Sequence, residues 1–262
     1  MSDKVLSLEN KVALVTGGRR GIGKAVALAF AQAGADVAVC DYTDDGGELE
    51  AVEQGIKESS RQALSMKVDV TRRADVQNLV EAVKGKFGRI DILFNAAGIL
   101  MSQRSPILET SDEDWDSVMA VNLKGTFICC QEAGKVMLEQ KSGSIISMAS
   151  IAGIKPMQNG VAYCVSKAGV IMLTQTLAME LGPYNIRVNA IAPWMIMTKM
   201  TERARSNPTR WQYVLSQTPM GYVGETSDVA NVALFLASDE TGWMTGHTIV
   251  LDGGYSAGDF AL

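Results

Sequence analysis

The chain has 262 residues, of which 47% are hydrophobic and 20% are charged, a composition typical of a globular protein with a substantial core. Its formal net charge of −5 argues against a nucleic-acid or anionic-membrane partner, because both select for positive surface. There is no initial apolar segment of signal-peptide length and no uninterrupted apolar run of ~20 residues, so a cytoplasmic protein that does not span a membrane is expected.

The first structural motif combines a short apolar run, Lys11 to Thr16, a glycine-rich loop and a segment with helical periodicity. Strand, glycine loop and helix in this order form the phosphate-binding unit of dinucleotide folds, because glycines allow close backbone approach and the helix N-terminus offers free N–H groups. The spacing Gly17-x3-Gly21-x-Gly23 differs from the commoner G-x-G-x-x-G pattern. In its strand–helix context it predicts a phosphate site.

The second predicted strand ends in Asp41. A carboxylate there suits the adenosine ribose hydroxyls of NAD and would repel the additional phosphate of NADP, and Asp44 and Asp45 add to the negative field. Arg20, inside the glycine loop, favours NADP instead, and Asp41 is also compatible with a simple turn after a strand. We predict NAD as the preferred cofactor and keep NADP as the alternative.

Strand and helix patterns then alternate along the whole chain. They predict a single α/β domain over 1–262, a Rossmann-type doubly wound parallel sheet with helices on both faces. Ligands bind such sheets at the carboxyl ends of the strands. The residues predicted at or just after these ends are Gly17, Asp41, Asp69, Asn95, Ser150 and Pro193.

Three further features invite a functional interpretation. Asp69 either binds the adenine amino group or caps the next helix. Asn122 lies inside a long predicted helix, where asparagine is unfavourable, which indicates a buried polar role. The segment 195–224 is rich in methionine, looks irregular and lies between a strand and a helix, so we predict a substrate-side flap.

Tyr163 and Lys167 are four residues apart at the start of a long apolar helix and therefore share one face. A neighbouring ammonium lowers the pKa of a phenol from its usual value of about 10, which makes tyrosine usable as an acid or base. Ser150 closes a strand-like run and can bring a hydroxyl to the same place. Because the four cysteines are scattered and His247 is the single histidine, no metal site is expected.

Taken together, the motifs resemble the classical short-chain dehydrogenase/reductase family over nearly the whole chain. They are TGGRRGIG at 16–23, NAAG at 95–98, VNLKG around Asn122, Ser150, YCVSK at 163–167 and IAP at 191–193. The resemblance implies that Tyr163 is the general acid/base and that Lys167 lowers its pKa and binds the nicotinamide ribose. It also implies that Ser150 holds the substrate oxygen and that Asn122 positions a water linked to Lys167.

The expected cofactor site combines the glycine loop, the strand ends and the catalytic helix. Its members are Gly17, Arg20, Gly21, Ile22, Gly23, Asp41, Asp69, Val70, Asn95, Ala96, Gly98, Tyr163, Lys167, Pro193, Ile196 and Thr198. Trp194 departs from the family, in which glycine commonly follows this proline; it either lines the pocket or packs under the flap with Trp211 or the methionines. The resemblance also implies a homotetramer, with apolar contact surface from Ile128, Cys129, Val170 and Leu177.

The leading functional prediction is an NAD-dependent oxidoreductase that interconverts a secondary alcohol and a ketone. One alternative is an NADPH-dependent 3-oxoacyl carrier-protein reductase, which is disfavoured because Ile128 and Met179 occupy positions where such enzymes offer arginines. Another is a non-catalytic dinucleotide-binding regulator, which is disfavoured because all four catalytic residues are present. The sequence does not distinguish a polyol from a sugar acid or a steroid as the substrate.

Overall fold

The computed structural model describes residues 6–258, which contain one seven-stranded sheet with the order β3-β2-β1-β4-β5-β6-β7. The strands are β1 Val12–Thr16, β2 Asp36–Asp41, β3 Ala63–Lys67, β4 Ile92–Asn95, β5 Gly143–Met148, β6 Ile186–Pro193 and β7 Thr248–Leu251. Every neighbouring pair is parallel. The predicted doubly wound α/β fold is therefore confirmed.

Helices cover both faces of the sheet. They are α1 Gly21–Gln32, α2 Glu48–Glu58, α3 Arg73–Phe87, α4 Asp112–Val118, α5 Thr126–Gln140, α6 Val161–Leu181, α7 Glu202–Arg205, α8 Pro208–Ser216 and α9 Thr226–Ala237. Side chains of α1, α2 and α9 form one core cluster against the sheet, and those of α3, α5 and α6 contribute to the other. Strands buried on both faces need continuous apolar runs, which explains a sequence such as VALVT in β1.

The six residues predicted at strand ends lie at or just beyond the carboxyl ends of the strands. The chain order reverses beside β1, whose neighbours are β2 and β4, and such a switch point creates a crevice for ligands. Gly17 adopts a φ of 65°, and a β-carbon added at Gly23 would lie 2.1 Å from the Gly17 carbonyl oxygen. The glycine loop therefore folds more tightly than side chains would allow.

The long helix predicted around Asn122 is interrupted. Between α4 and α5 the residues Met119–Gly125 form a π-helical segment. Such segments add a residue to the turn and occur frequently at functional sites. The interruption directs Asn122, which is fully buried, toward the loop after β4 and toward α6.

The segment 195–224 is more regular than predicted, because it contains a 3₁₀ turn at Lys199–Thr201 together with α7 and α8. The Asn207 side chain accepts a hydrogen bond from the Arg210 N–H at 3.0 Å. Pro208 occupies the first turn of α8, where its missing N–H costs nothing. These local signals start a helix without a strong apolar pattern, so the prediction that the segment is irregular was wrong, while its role as a substrate-side flap stays a prediction.

The apolar contact surface implied for a tetramer is also placed differently. Ile128, Cys129 and Val170 are at most 2% exposed, and Leu177 packs against the core, because this phase of α5 and α6 faces the sheet. The exposed apolar side chains of the two helices are Phe127, Leu138, Val165, Met172 and Met179.

Helix α6 has the length and composition of a membrane span, with a mean hydropathy of 1.3 over its most apolar window. Length and hydropathy are weak indications here, because core helices meet the same criteria. Lys167 and Thr174 on this helix are buried by the protein itself. One side of α6 thus packs its apolar side chains into the core, and the other side presents Val165, Met172 and Met179 to solvent.

Candidate active site

The carboxyl ends of the central strands enclose a cavity of about 400 Å³ that is lined by Ser150, Tyr163 and Lys167. Tyr163 and Lys167 project from the first two turns of α6, and the Lys167 Nζ lies 5.7 Å from the centroid of the Tyr163 ring. Ser150 follows β5, and its hydroxyl accepts the Ala152 N–H at 3.1 Å. Ser150, from the end of β5, therefore lines the same cavity as Tyr163 and Lys167 of α6.

Lys167 is buried and its Nζ donates a hydrogen bond to the Met148 carbonyl oxygen at 2.7 Å. Burial disfavours the charged ammonium and lowers the pKa of Lys167 from 10.5 to about 8. The amine therefore changes charge close to neutral pH, beside the phenol that it is expected to influence.

The pKa of Tyr163 is raised rather than lowered. The main cause of the raised pKa is burial, which disfavours a phenolate, and the interaction with the Ser150 hydroxyl acts in the opposite direction. The expectation that Lys167 depresses this pKa is not met in the protein alone, because both groups are buried and Lys167 is itself close to losing its charge.

Side-chain hydrogen bonds of Asn122 connect the loop after β4 to α6. Its Oδ1 accepts the Ile99 N–H at 2.8 Å, and its Nδ2 donates to the Ile99 carbonyl oxygen at 3.0 Å and to the Ser166 Oγ at 3.1 Å. A β-carbon on Gly98 would lie 3.3 Å from the same Oδ1. Asn122 thus fixes the loop after β4 against the helix that carries Tyr163 and Lys167.

The glycine loop offers the features that a dinucleotide pyrophosphate needs. Helix α1 begins after Arg20, whose side chain makes no capping hydrogen bond, so the first helical N–H groups are available to an anion. Its glycines leave room for close approach, and the carboxylate of Asp41 stands at the end of the next strand. The residues present therefore fit a nicotinamide dinucleotide.

Sequence analysis missed Arg19. Its side chain is only 5% exposed, its Nη1 binds Asp45 at 3.1 Å and Glu48 at 2.6 Å, and its Nε lies 3.7 Å from Asp41 Oδ1. The Arg19 N–H also donates to Asp41 Oδ2 at 3.3 Å. The negative charge of Asp45 is therefore largely compensated by Arg19, and Asp41 faces the same guanidinium, which comes from the glycine loop.

Several predicted cofactor residues have structural partners. Asp69 Oδ1 accepts hydrogen bonds from the N–H and hydroxyl of Thr71, which form a local turn before α3. The N-cap of α3 is Arg72, and among the described residues no side chain caps the helix, so the prediction that Asp69 caps it was wrong. Asn95 is buried and its Nδ2 donates to Ser147 Oγ at 3.2 Å, so any contact with cofactor would come through its main chain. Val70 packs against Gly125.

The remaining predicted cofactor residues divide between the loop and the cavity. Those that line the cavity together with Ser150, Tyr163 and Lys167 are Ile22, Ala96, Gly98, Pro193, Ile196 and Thr198. Within residues 6–258 no group of three or more His, Cys, Asp or Glu side chains is arranged to hold a metal ion.

Trp194 lines the cavity, and it also stacks on Tyr255 with ring centroids 3.8 Å apart and an interplanar angle of 4°. Its partner is thus a residue beyond β7 rather than Trp211. The Lys155 Nζ lies 4.6 Å from the Tyr255 centroid on the same aromatic pair. The indole therefore forms a fixed wall of the cavity, held in place by the segment that follows the last strand.

Three exposed arginines that sequence analysis did not single out line the cavity: Arg104 from the loop after β4, Arg203 from α7 and Arg210 from α8. The first and the last are more than a hundred residues apart along the chain, and no motif connects them. A search for basic residues in the predicted flap and in the loop after NAAG would have been the only available signal.

Comparison with known proteins agrees with this geometry. The model of a family described as enoyl-(acyl carrier protein) reductase matches residues 17–256. A D-threitol dehydrogenase from Mycolicibacterium smegmatis is 41% identical over 95% of this chain and 94% of its own. An NAD-dependent glycerol dehydrogenase from Listeria innocua is 37% identical over 97% of both chains. A 3-oxoacyl-[acyl-carrier-protein] reductase from Thermotoga maritima is 43% identical over 95% of this chain and 99% of its own.

Solved structures show the same likeness. The crystal structure of gox2181 is 38% identical with a TM-score of 0.92, covering 97% of this chain and 98% of that chain. A protein from Agrobacterium tumefaciens, provisionally named a 2-deoxy-D-gluconate 3-dehydrogenase and solved with NADP bound, is 32% identical with a TM-score of 0.89. It covers 98% of this chain and 100% of its own.

Proposed function

Because the chain belongs to the short-chain dehydrogenase/reductase family, we propose that it is an NAD-dependent oxidoreductase that interconverts a secondary alcohol and a ketone. The observation that carries this proposal is the meeting of Ser150, Tyr163 and Lys167 in one cavity at the carboxyl edge of the sheet. The dinucleotide supplies the hydride acceptor or donor when it is bound.

The chain's own residues handle the proton. The hydroxyls of Tyr163 and Ser150 would hold the substrate oxygen, and Tyr163 would accept its proton as the carbon gives up hydride, or return it in reduction. Burial keeps the phenol protonated in the resting protein, which suits a donor in ketone reduction. Lys167, one turn along α6, would bind the nicotinamide ribose and favour the phenolate whenever it is charged.

The preference for NAD rests on Asp41, whose carboxylate ends β2 where the adenosine ribose lies in this fold. The NAD-dependent glycerol dehydrogenase among the relatives is consistent with it. Arg19 and Arg20 oppose it, since each adds positive charge at the glycine loop. We give Asp41 more weight because Arg19 already binds Asp45 and Glu48.

The likeness to a 3-oxoacyl carrier-protein reductase makes that activity the second candidate. Carrier proteins are acidic and are bound by exposed arginines. Here Ile128 is buried and Met179 is exposed and uncharged, so the two helix positions expected to recognise the carrier carry no positive charge. This difference favours a small-molecule substrate.

We also propose a homo-oligomer, with α5 and α6 packed between subunits. Outward-facing apolar side chains on these helices support it, Met172 and Met179 being 62% and 81% exposed. A shallow, mostly apolar depression is lined by Met119, Leu123, Phe127 and Leu173, with Asp116 and Lys124 also in its lining. Exposed apolar surface of this kind is more common at interfaces than on monomers.

The proposed function is tested by measuring NAD and NADP reduction with polyols, sugar acids and cyclic alcohols, using the unmodified protein and Tyr163→Phe. Loss of the proton-transfer group is expected to lower kcat by about 10²- to 10⁴-fold without weakening NAD binding equally. Tyr184→Phe, at an exposed tyrosine beyond α6, is the matched control. Undiminished turnover by Tyr163→Phe would refute the mechanism, and NAD binding with no turnover of any alcohol would favour the regulator.

A further inference from the structure

The substrate side of the cavity is positively charged in a chain whose net charge is −5. Its lining includes Lys167 and three arginines, Arg104, Arg203 and Arg210, but no aspartate or glutamate. Glu202 precedes Arg203 without joining the lining. A cationic pocket in an acidic protein is not expected from the overall composition.

The three arginines also lack acidic partners in the structure. Within residues 6–258, none of them has a carboxylate oxygen within 4 Å, whereas Arg19, Arg61, Arg73 and Arg89 all do. The one side-chain hydrogen bond of Arg104 goes from its Nη2 to the Met157 Sδ at 3.0 Å, and a thioether is a weak acceptor. The guanidinium therefore keeps most of its donor capacity.

The three arginines line the same cavity, and their positive charges act on one another. The pKa of Arg104 is lowered, first by partial burial and then by the positive charge of Arg210, with a smaller contribution from Arg203, while Cys164 and Tyr163 act in the opposite direction. Arg104 thus interacts electrostatically both with the two arginines of α7 and α8 and with the phenol of the active site. Like charges assembled without counter-charges leave an arrangement that an anion would stabilise.

We propose that Arg104, Arg203 and Arg210 bind an oxyanion carried by the substrate, so that the enzyme acts on hydroxy or keto compounds with a carboxylate or phosphate remote from the reacting carbon. This inference rests on the proposed function and adds its substrate class. Guanidinium groups are suited to this task because their planar donors match carboxylate and phosphate oxygens in pairs. The apolar walls and Trp194 would enclose the carbon chain between the oxyanion and Tyr163.

The test compares neutral and anionic versions of one carbon skeleton: glycerol, D-glycerate and glycerol 3-phosphate, and D-glucitol with D-gluconate. At saturating NAD, an anionic compound is expected to have a kcat/KM about ten- to a hundredfold above that of its neutral partner, the usual value of a charge-assisted hydrogen bond. Glycerate and glycerol 3-phosphate distinguish a carboxylate from a phosphate site. Arg210→Met and Arg104→Met should reduce the advantage through KM, so that kcat/KM falls more for the anionic compound than for its neutral partner.

Lys57→Met, which removes one charge from the exposed face of α2, is the control for net charge. Equal use of neutral and anionic compounds would overturn the oxyanion site and leave the proposed function intact. If no compound is oxidised, calorimetric binding of the same pairs to the NAD-loaded protein decides, and binding without preference for the anion also overturns the site. Arginine variants that weaken NAD binding instead would assign these side chains to the cofactor.

Discussion

The depressed pKa of Lys167 predicts a measurable dependence of stability on pH. The native pKa of about 8 lies below the ordinary 10.5, so between these values the unfolded chain binds a proton that the native protein does not. Stability contributed by this group therefore rises as pH increases through that window. Below about pH 8 the native protein carries the full penalty for a buried ammonium.

The size of the effect follows from the shift. At about 1.36 kcal/mol per pKa unit, burial of the ammonium costs about 3 kcal/mol at neutral pH, and most of this, about 2 to 3 kcal/mol, should be regained between about pH 7 and pH 10. The Lys167→Met variant lacks this titratable amine. Between about pH 7 and pH 10, the unfolding free energy of the unmodified protein should therefore rise by this amount relative to that of Lys167→Met.

The assay is urea denaturation followed by tryptophan fluorescence, at one protein concentration because assembly contributes to apparent stability. The pKa of Tyr163 is raised above its ordinary value of 10.0, so its phenol stays protonated over most of this range in the native protein, and the other titrating groups are present in both proteins. Lys57→Met, at an exposed lysine, should show no pH-dependent difference. A flat difference for Lys167→Met would refute the buried-ammonium explanation.

Two predictions concern the cofactor and the substrate. Asp41→Ala should lower NAD affinity and raise the NADP/NAD ratio of kcat/KM by about ten- to a hundredfold, because the carboxylate that would repel the additional phosphate of NADP is then gone. Arg20→Ala is the comparison, and NADP preference in the unmodified protein would contradict the assignment. Trp194→Gly should raise kcat/KM for a bulky alcohol relative to a small one with NAD affinity unchanged, and Tyr255→Ala should do so partly because it removes the stacked ring. Equal losses for both alcohols would identify Trp194 as a packing residue alone.

Much of the fold and of the catalytic centre could be predicted from the sequence, because the signals are local. Apolar strands alternate with helices, and in a parallel sheet every strand end delivers its next residue to the same edge. That rule placed Ser150 beside Tyr163, and helical spacing placed Lys167 next to the same phenol. Asn122 was identifiable because a buried asparagine inside a helix requires partners, and the structure supplies them in Ile99 and Ser166.

What could not be predicted is the direction in which a side chain points, rather than the position of its residue in the fold. Arg19 and Arg20 are neighbours in one loop, yet the first is buried against Asp41, Asp45 and Glu48 while the second is exposed. Which of two adjacent side chains turns inward is decided by backbone dihedrals, such as the positive φ of Gly17, that a glycine pattern does not specify.

The same limitation applies to the substrate pocket. Arg104 reaches it from the loop after β4, whereas Arg203 and Arg210 depend on two short helices. Helix α8 starts at the Asn207 cap, and α7 continues a 3₁₀ turn that begins with a capping box at Thr198 and Thr201. Chemistry shared across a family is carried by residues at strand ends and helix starts, where spacing determines geometry. Substrate selectivity depends on the connecting segments, where tertiary packing determines which charged side chains come together. We therefore expect the arginines of the pocket, rather than the family motifs, to indicate the substrate class.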